Sequence, residues 1–273
     1  MRRKPWFEIH DQPWFPGFLR DLVTEALEGV WNGSRTYHPA AGRLREALRQ
    51  SGAERIVDLC SGGGGPWPGL YHAISDDGEL QVWLTDRYPN TRTASAIAEK
   101  MDGLTVHEEP VDARRVPPEM HGFRTIFSSF HHFDPAQARA ILSDAFKRRE
   151  GIAILEAAQC SLRTMACVAA VPFLAVKNAW MARPLRLSRL FWTSIVPVVP
   201  AILWLDGILS CLRSYSRQDL QELIEGLTAP DYEWQIGEER AGRVPITCLM
   251  GTPLRRPVAI RVADRVAAVS HKG

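Results

Sequence analysis

The sequence predicts an α/β fold in which a mostly parallel sheet carries helices on both faces, and three observations predict it. Short β-branched or apolar runs alternate with helical patterns through the middle of the 273-residue chain. One of those runs, Ile56 to Leu59, opens directly into the glycine turn Gly62-Gly63-Gly64-Gly65. The last two apolar runs lie close together around Gly242, which reads as a closing antiparallel hairpin. Parallel strands need long crossovers, usually helical, so the alternation implies βαβ units with ligands at the carboxyl ends of the strands.

The elements follow in order. Residues 6 to 18 are rich in aromatics (Trp6, Phe7, Trp14, Phe15, Phe18), broken by Pro13 and Pro16 after Pro5. Such rings are expected to pack across the body of the protein, because left free they form an exposed apolar patch. Phe18, Leu19, Leu22, Val23, Ala26 and Val30 recur at helical spacing and predict an amphipathic helix from Gly17 to Val30, which Trp31-Asn32-Gly33-Ser34 should end. A second helix is expected from Pro39 to Ser51, so that residues 1–50 form a helical N-terminal cap. Strands follow at Ile56–Leu59, Leu80–Thr85, Leu104–His107, Thr125–Ser129 and Ile152–Leu155, with helices around Leu70–Ile74, Asn90–Lys100 and Pro135–Arg148. Residues 161–212 break the pattern: they are apolar, studded with arginine and mainly helical, and read as an insertion or lid. A helix over Arg213–Leu227 with Ser216 as its N-cap returns to the core. Strands Tyr232–Glu238 and Ile246–Thr252, joined through Ala241-Gly242-Arg243, complete it, leaving 51–160 and 213–256 as the core and 257–273 as a tail.

Composition narrows the function classes. A net charge of +2 spread along the chain argues against a nucleic-acid partner and for a small-molecule one. Five cysteines without a CxxC spacing read as reduced thiols of a cytoplasmic protein, with Cys160, Cys167, Cys211 and Cys248 as small core residues rather than ligands; no metal is expected. No apolar stretch follows the basic residues Arg2, Arg3 and Lys4, so no secretory signal is read there. The apolar stretches 165–176 and 195–205 are shorter than the ~20 residues a spanning helix needs, and Pro172, Pro197 and Pro200 interrupt them.

The glycine turn gives the first chemical signal. Residues without a Cβ allow positive φ and let a nucleotide-like ligand lie against peptide groups. The dinucleotide pattern Gly-x-Gly-x-x-Gly fails here, ending on Trp67 when read from Gly62 and on Pro68 when read from Gly63. The pattern acidic-x-Gly-x-Gly-x-Gly fits through Asp58, Gly62 and Gly64, with Cys60 in place of the first glycine. In this the chain resembles class I S-adenosylmethionine (SAM) methyltransferases of the small-molecule type. The resemblance implies a Rossmann-like seven-stranded sheet with an antiparallel last strand, and SAM as cofactor.

It also implies roles for particular residues. Cys60, Ser61, Gly62, Gly63 and Gly64 would cradle the cofactor, and Asp58 would face its ammonium, directly or through water. Asp86, at the end of the second strand, would accept from the ribose hydroxyls, with Arg87 either flanking the adenine or facing solvent. Asp112-Ala113 is the counterpart of the adenine-contacting pair. Ser128-Ser129-Phe130-His131-His132 resembles the motif that follows the fourth strand beside the methyl donor. His131 and His132 are therefore the candidate catalytic residues, His131 the better candidate base, although in-line methyl transfer can proceed by positioning alone.

Substrate contacts are sought outside the motifs. Glu156 ends the fifth strand, as a substrate contact or a helix-start charge. Tyr37 either closes over the cofactor or packs beneath the cap. Trp14, Phe15, Phe173, Trp180, Phe191, Trp192 and Trp204 roof an apolar pocket or pack helices together, and Arg213 marks the edge of the core. Arg183, Arg186 and Arg189 recur every third residue and hold an anionic substrate group, meet lipid headgroups or face solvent. The leading expectation is methyl transfer to a small, largely hydrophobic or aromatic acceptor at oxygen, nitrogen or carbon, of the kind found in secondary metabolism. The alternatives are an inactive scaffold of the same fold that binds a partner or membrane surface through the apolar insertion, and an NAD-dependent oxidoreductase.

Overall fold

The computed structural model describes residues 6–75, 80–89, 91–99, 101–240, 242 and 244–254. The expected tail at 257–273, and Asn90, Lys100, Ala241 and Arg243 of the expected helix and turn, lie outside the described residues. The sheet consists of β1 (Arg55–Leu59), β2 (Gln81–Thr85), β3 (Leu104–Val106), β4 (Phe123–Phe127), β5 (Ile152–Glu156), β6 (Tyr232–Glu239) and β7 (Ile246–Pro253). Their order across it is β3-β2-β1-β4-β5-β7-β6. β1 to β5 pair in parallel, and β7 runs antiparallel to both β5 and β6. The order reverses between β1 and β4, the switch point at which open α/β sheets take ligands.

One strand sits two residues earlier than expected. β4 begins at Phe123 and includes Arg124, which is fully buried. A lone charge would be costly there, but the guanidinium donates from Nε to Glu150 at 2.8 Å and from Nη1 to Asp144 at 2.8 Å. Ser128 and Ser129 therefore lie just past the strand.

Two cores flank the sheet. On one face α2 (Ala41–Ser51), α3 (Trp67–Ile74) and α4 (Thr91–Ala98) pack through Leu44, Leu48, Trp67, Leu70 and Ala94 onto Ile56, Val82 and Phe127. On the other, α5 (Pro135–Arg148) and α9 (Arg217–Ile224) pack through Ile141, Leu142, Leu220 and Leu223 onto Val57, Ile126 and Leu249. Both of these helices begin at a capping box, Asp134 with Gln137 and Ser216 with Asp219, which satisfies N–H groups left open by the first turn.

The remaining helices build a roof. α1 (Gly17–Ser34), α6 (Leu162–Met181), α7 (Leu187–Leu190) with the π-turn Phe191–Ile195, and α8 (Val198–Arg213) share a third core of Phe15, Leu22, Val23, Ala175, Val199, Ile202 and Leu203. Residues 1–50 therefore do not act as one cap: α2 belongs to the sheet and α1 to the insertion. α1 also runs through Trp31–Ser34, where a break was expected, and ends at Arg35 with φ 51°. The reason is tertiary. Asn32 donates to the Gly65 carbonyl at 3.0 Å and accepts from the Gly69 N–H at 3.0 Å, so the glycine turn uses its polar side chain and the helix continues. α6 likewise continues past Pro172 to a length of 20 residues, longer than its apolar stretch suggested.

Candidate active site

A cavity of about 1020 Å³ opens at the carboxyl ends of β1, β2 and β4, beneath α1, α6 and α8. Its floor is polar and belongs to the sheet. Its far end is apolar, formed by Leu27 and Trp31 of α1, Cys167 and Val171 of α6 and Leu203 of α8.

The floor begins at the glycine turn. Cys60 takes φ 59°, the left-handed conformation that glycine adopts freely and that costs other residues about 1–2 kcal/mol. The irregular position in the motif thus keeps a glycine's backbone. The missing side chains admit helices as well as a ligand: a Cβ at Gly62 would lie 2.8 Å from Thr24 Cγ2, and one at Gly64 would lie 2.7 Å from Ile97 Cδ1. From α1, Glu28 Oε1 accepts the N–H groups of Gly63 at 2.7 Å and Gly65 at 3.2 Å. Burial pushes Glu28 up to about 8, against the pull of those two hydrogen bonds.

Asp58 is not where the motif suggested. It is buried, outside the cavity wall, with Oδ2 accepting from Trp67 Nε1 at 2.8 Å and Oδ1 from the Thr125 hydroxyl at 2.5 Å. Both oxygens are engaged by protein, so it ties β1 to β4 and α3 rather than facing an ammonium. Burial pushes it up to about 7. Gly63, Gly64 and Phe130 also lie behind the wall; Phe130 is fully buried in the core on the α5 face.

Cys60, Ser61, Gly62, Asp86, Arg87, Asp112, Ala113, Ser128 and Ser129 do meet at the cavity. Asp86 accepts from the Gly62 N–H at 2.8 Å and the Tyr88 N–H at 2.7 Å, and its titration is raised by burial in spite of these bonds. Arg87 is exposed and lies over the Tyr88 ring. Asp112 is clasped by Arg114, which holds its carboxyl below the usual range.

The paired histidines are built into a charged network. His131 is buried, its Nδ1 2.6 Å from Glu156 Oε2 and its Nε2 3.2 Å from Glu8 Oε1. Burial alone would lower its titration, but the two carboxylates outweigh this and push it up to about 10. Two carboxylates that favour the charged ring work against the role of general base expected of it. His132 pairs through Nδ1 with Asp11, and its Nε2 lies 3.5 Å from Glu8 Oε2. The Glu8 carboxyl titrates far below its ordinary range, because His132 and His131 outweigh the effect of burial.

Residues 8–11 form a strap fixed by these charges. Asp206 of α8 accepts the N–H groups of Ile9 at 2.8 Å and His10 at 3.2 Å and meets His10 Nδ1 at 2.7 Å. Arg213 donates to the His132 carbonyl at 2.8 Å and lies 3.5 Å from Glu8. The aromatics around the strap do less than expected: Trp6, Phe7, Trp14 and Phe18 are exposed and Phe15 is buried.

The expected substrate contacts mostly fail. Trp14 and Trp180 face outward, Trp180 donating to the Ser194 hydroxyl. Tyr37 is buried against Trp31 and Phe127 and donates to Ser128 at 2.5 Å, so it packs beneath the roof. Glu156 is neither a rim contact nor a helix-start charge; it accepts from the Phe130 N–H at 2.7 Å and holds His131. Arg213 lies behind the wall and orients the strap. Cys211 and Cys248 are buried as expected of core thiols, whereas Cys160 is exposed and Cys167 lines the cavity. The wall also contains Glu8, His10, Asp11 and Glu28, none of which the sequence reading assigned to the site; Glu28 was read only as part of the polar side of the first helix. Their one signal was the presence of acids inside an aromatic run and on a helix that has to be covered.

No protein-family model matches the chain, and no curated protein sequence does. Among solved structures it is similar to the plantazolicin methyltransferase BpumL in complex with SAH, at 11% identity over 89% of this chain and 94% of that one, with a TM-score of 0.55. It is also similar to the mitomycin 7-O-methyltransferase MmcR, at 18% identity over 78% of this chain and 53% of that one, TM-score 0.44. Human N-acetylserotonin methyltransferase in complex with SAM gives 12% identity over 86% and 56%, TM-score 0.49. The chain thus spans about half the length of these last two. The likeness to BpumL over nearly the whole of both chains, with the strand order above, shows the class I methyltransferase fold.

Proposed function

We propose that the protein transfers the methyl group of SAM to a small, largely apolar acceptor. The observation that supports this best is the convergence of Cys60-Ser61-Gly62, Asp86, Asp112-Ala113 and Ser128-Ser129 on one cavity at the switch point of the sheet. When bound, SAM supplies an electrophilic methyl group on a cationic sulfur. The residues present suit such a cation. Asp86 and Asp11 line the same wall, and the Asp86 carboxylate, which accepts from the backbone N–H groups of Gly62 and Tyr88, has further acceptor capacity for a ribose hydroxyl. The main-chain amides of Gly63 and Gly65 are taken by Glu28, so they are not the carboxylate's partners.

The chain's own work is positioning and exclusion of water. α1, α6 and α8 present an apolar end that suits a hydrophobic or aromatic acceptor and keeps the reacting atoms dry. His131 helps to fix the strap, and Asp11, His10 and His132 stand beside Glu8 and Asp206 as the other ionisable groups at the strap side of the wall.

A thermal-shift series with SAM, its demethylated product SAH and NAD tests the reading, since a ligand of the native state raises its stability by mass action. Stabilisation by SAM and SAH but not NAD is expected; stabilisation by NAD alone would replace the reading with the oxidoreductase alternative. Asp86→Ala is expected to weaken SAH binding by about 1–3 kcal/mol, the loss of a charged hydrogen bond. Unchanged affinity by calorimetry would remove Asp86 from the ribose site.

The acceptor is proposed to come from an anionic lipid surface that the roof touches. Phe173, Trp180, Met181, Leu187 and Ile195 are all more than half exposed on α6, α7 and the turn beyond. Arg163, Lys177 and Arg183 are exposed on the same stretch, whereas Arg186 and Arg189, expected to share a helix face, pair with Glu25 of α1, and Arg213 is buried against Glu8. Apolar and aromatic side chains beside an excess of cations is the pattern of an interfacial surface. Flotation with anionic and with neutral vesicles checks it: co-migration with the anionic ones is expected, and recovery in the soluble fraction with both would set the membrane aside.

A further inference from the structure

We propose that Glu8, His131 and His132 bind one divalent transition-metal ion, of the zinc type, at the strap end of the cavity. The two imidazoles lie side by side with ring centroids 4.4 Å apart. Each gives its Nδ1 to a carboxylate, His131 to Glu156 at 2.6 Å and His132 to Asp11. That fixes both tautomers in the sense used by metal-binding histidines, whose second nitrogen donates to a carboxylate or carbonyl. Both Nε2 atoms then face the same third group. They lie 3.2 Å from Glu8 Oε1 and 3.5 Å from Glu8 Oε2. Ligands at about 2.0–2.1 Å in a tetrahedral shell stand about 3.3–3.4 Å from one another. The three residues offer donor atoms within 4.8 Å of each other, so an ion fits between them with small side-chain adjustments.

Charge points the same way. Two imidazoles that donate through Nδ1 turn their Nε2 lone pairs toward a carboxylate, and a cation has to lie in each gap. Protons on both rings meet that need, and so does one divalent ion. Glu8, Asp11 and Glu156 meet the rings, with the Arg213 guanidinium 3.5 Å from Glu8 and 3.9 Å from Asp11 as the opposing charge. With neutral histidines this leaves an excess of two negative charges, which a divalent ion cancels. Glu8, His131 and His132 all line the cavity, so the coordination position left over opens onto the space where an acceptor would lie. Two histidines and one carboxylate with an open position is a donor set that zinc and iron(II) both use. A polar heteroatom of the acceptor, a hydroxyl or carboxyl oxygen, is the ligand the open position would take. This last step rests on the proposed methyl transfer; the binding of the ion does not.

Cobalt(II) is the probe, since it takes zinc sites and absorbs in the visible. Full-length protein stripped with a chelator and dialysed is titrated with cobalt(II), then with zinc(II), and the metal content of the protein as purified is measured by mass spectrometry. Saturation at about one equivalent, with tetrahedral or five-coordinate absorption bands that zinc abolishes, is expected. Glu8→Gln keeps the size of the side chain and removes its charge, and His132→Ala removes a ring outside the buried core. Each should weaken cobalt binding by at least about 100-fold, judged against the 10–100-fold effects of mere supporting residues. Cooperative thermal unfolding of both variants, followed without ligand, reports that they remain folded. Lack of cobalt absorption in the wild-type protein, or wild-type binding in both folded variants, overturns the site. If the variants do not fold, the wild-type titration decides alone. SAH binding without cobalt uptake overturns the ion and leaves methyl transfer standing; cobalt uptake without SAH binding does the reverse.

Discussion

The floor and the roof of the cavity both use buried polar pairs, but between different partners. The floor is tied through buried groups close to the strands: Asp58 between Trp67 and Thr125, and Arg124 between Glu150 and Asp144. The roof shares a small core of its own, leaves large aromatics in solvent, and is closed at the strap by paired charges. A buried network of this kind is stiff and costly to break, whereas one that borders a cavity can open while the rest of the protein stays folded. The cofactor end is therefore expected to be permanent and the acceptor end conditional.

Four changes test that division, from the largest effect to the smallest. Trp67→Ala removes a fully buried indole and leaves Asp58 short of a partner, so a loss of about 3–5 kcal/mol is expected in denaturant unfolding, with floor and roof failing together. Asp206→Ala should cost about 2–3 kcal/mol, because it strands two backbone N–H groups and His10. Limited proteolysis should then cut within residues 6–15 while the sheet stays resistant. Cleavage spread over the sheet would mean that floor and roof are one unit.

The third change uses pH. Glu28 titrates at 4.5 in the reference state and at about 8 in the folded protein, so the native state binds the proton more tightly between those values. Its contribution is complete below pH 4.5 and is lost as pH rises through about 8. His131, raised to about 10, acts in the same sense at higher pH. The melting temperature should accordingly fall from about pH 6 to about pH 9, and Glu28→Gln should remove part of that fall, up to about 2 kcal/mol. An unaltered pH profile in the variant would show that Glu28 is charged on the glycine turn throughout. Last, Phe173→Ser and Trp180→Ala should change stability by under about 0.5 kcal/mol, since both side chains are mostly in solvent. The same pair should reduce vesicle co-migration severalfold. A large stability loss would turn this face into core.

How much of this was legible depended on sequence distance. The succession of strands and helices, the Ser216 cap and the helix at Pro135 follow from local patterns, and they appear as expected. β4 was misplaced because an arginine reads as a strand boundary until Glu150, 26 residues on, is seen to take it. The end of α1 was misplaced because Asn32 and Gly33 are helix breakers alone but here face Gly65 and Asn178. The site divided in the same way. Asp86 and Ser128 could be placed at strand ends, and Asp112 in the stretch after β3, from short-range pattern. The partners of the histidines could not, since Asp11 lies 121 residues from His132 and no local rule links them. Asp58 shows the opposite error: a motif position was read as a ligand contact when Thr125, 67 residues away, uses it.

The span of the strap contacts sets an order of events. Ile9 and Asp206 are 197 residues apart, so a ribosome adding about 5–20 residues per second makes the strap some ten to forty seconds before its anchor on α8. During that interval Glu28 can already meet the glycine turn, only 35 residues on, while Glu8 waits for both histidines and Arg213. The glycine-turn end of the floor can thus be in place on the nascent chain before the strap meets its anchor on α8, and β6 and β7 complete the sheet later still.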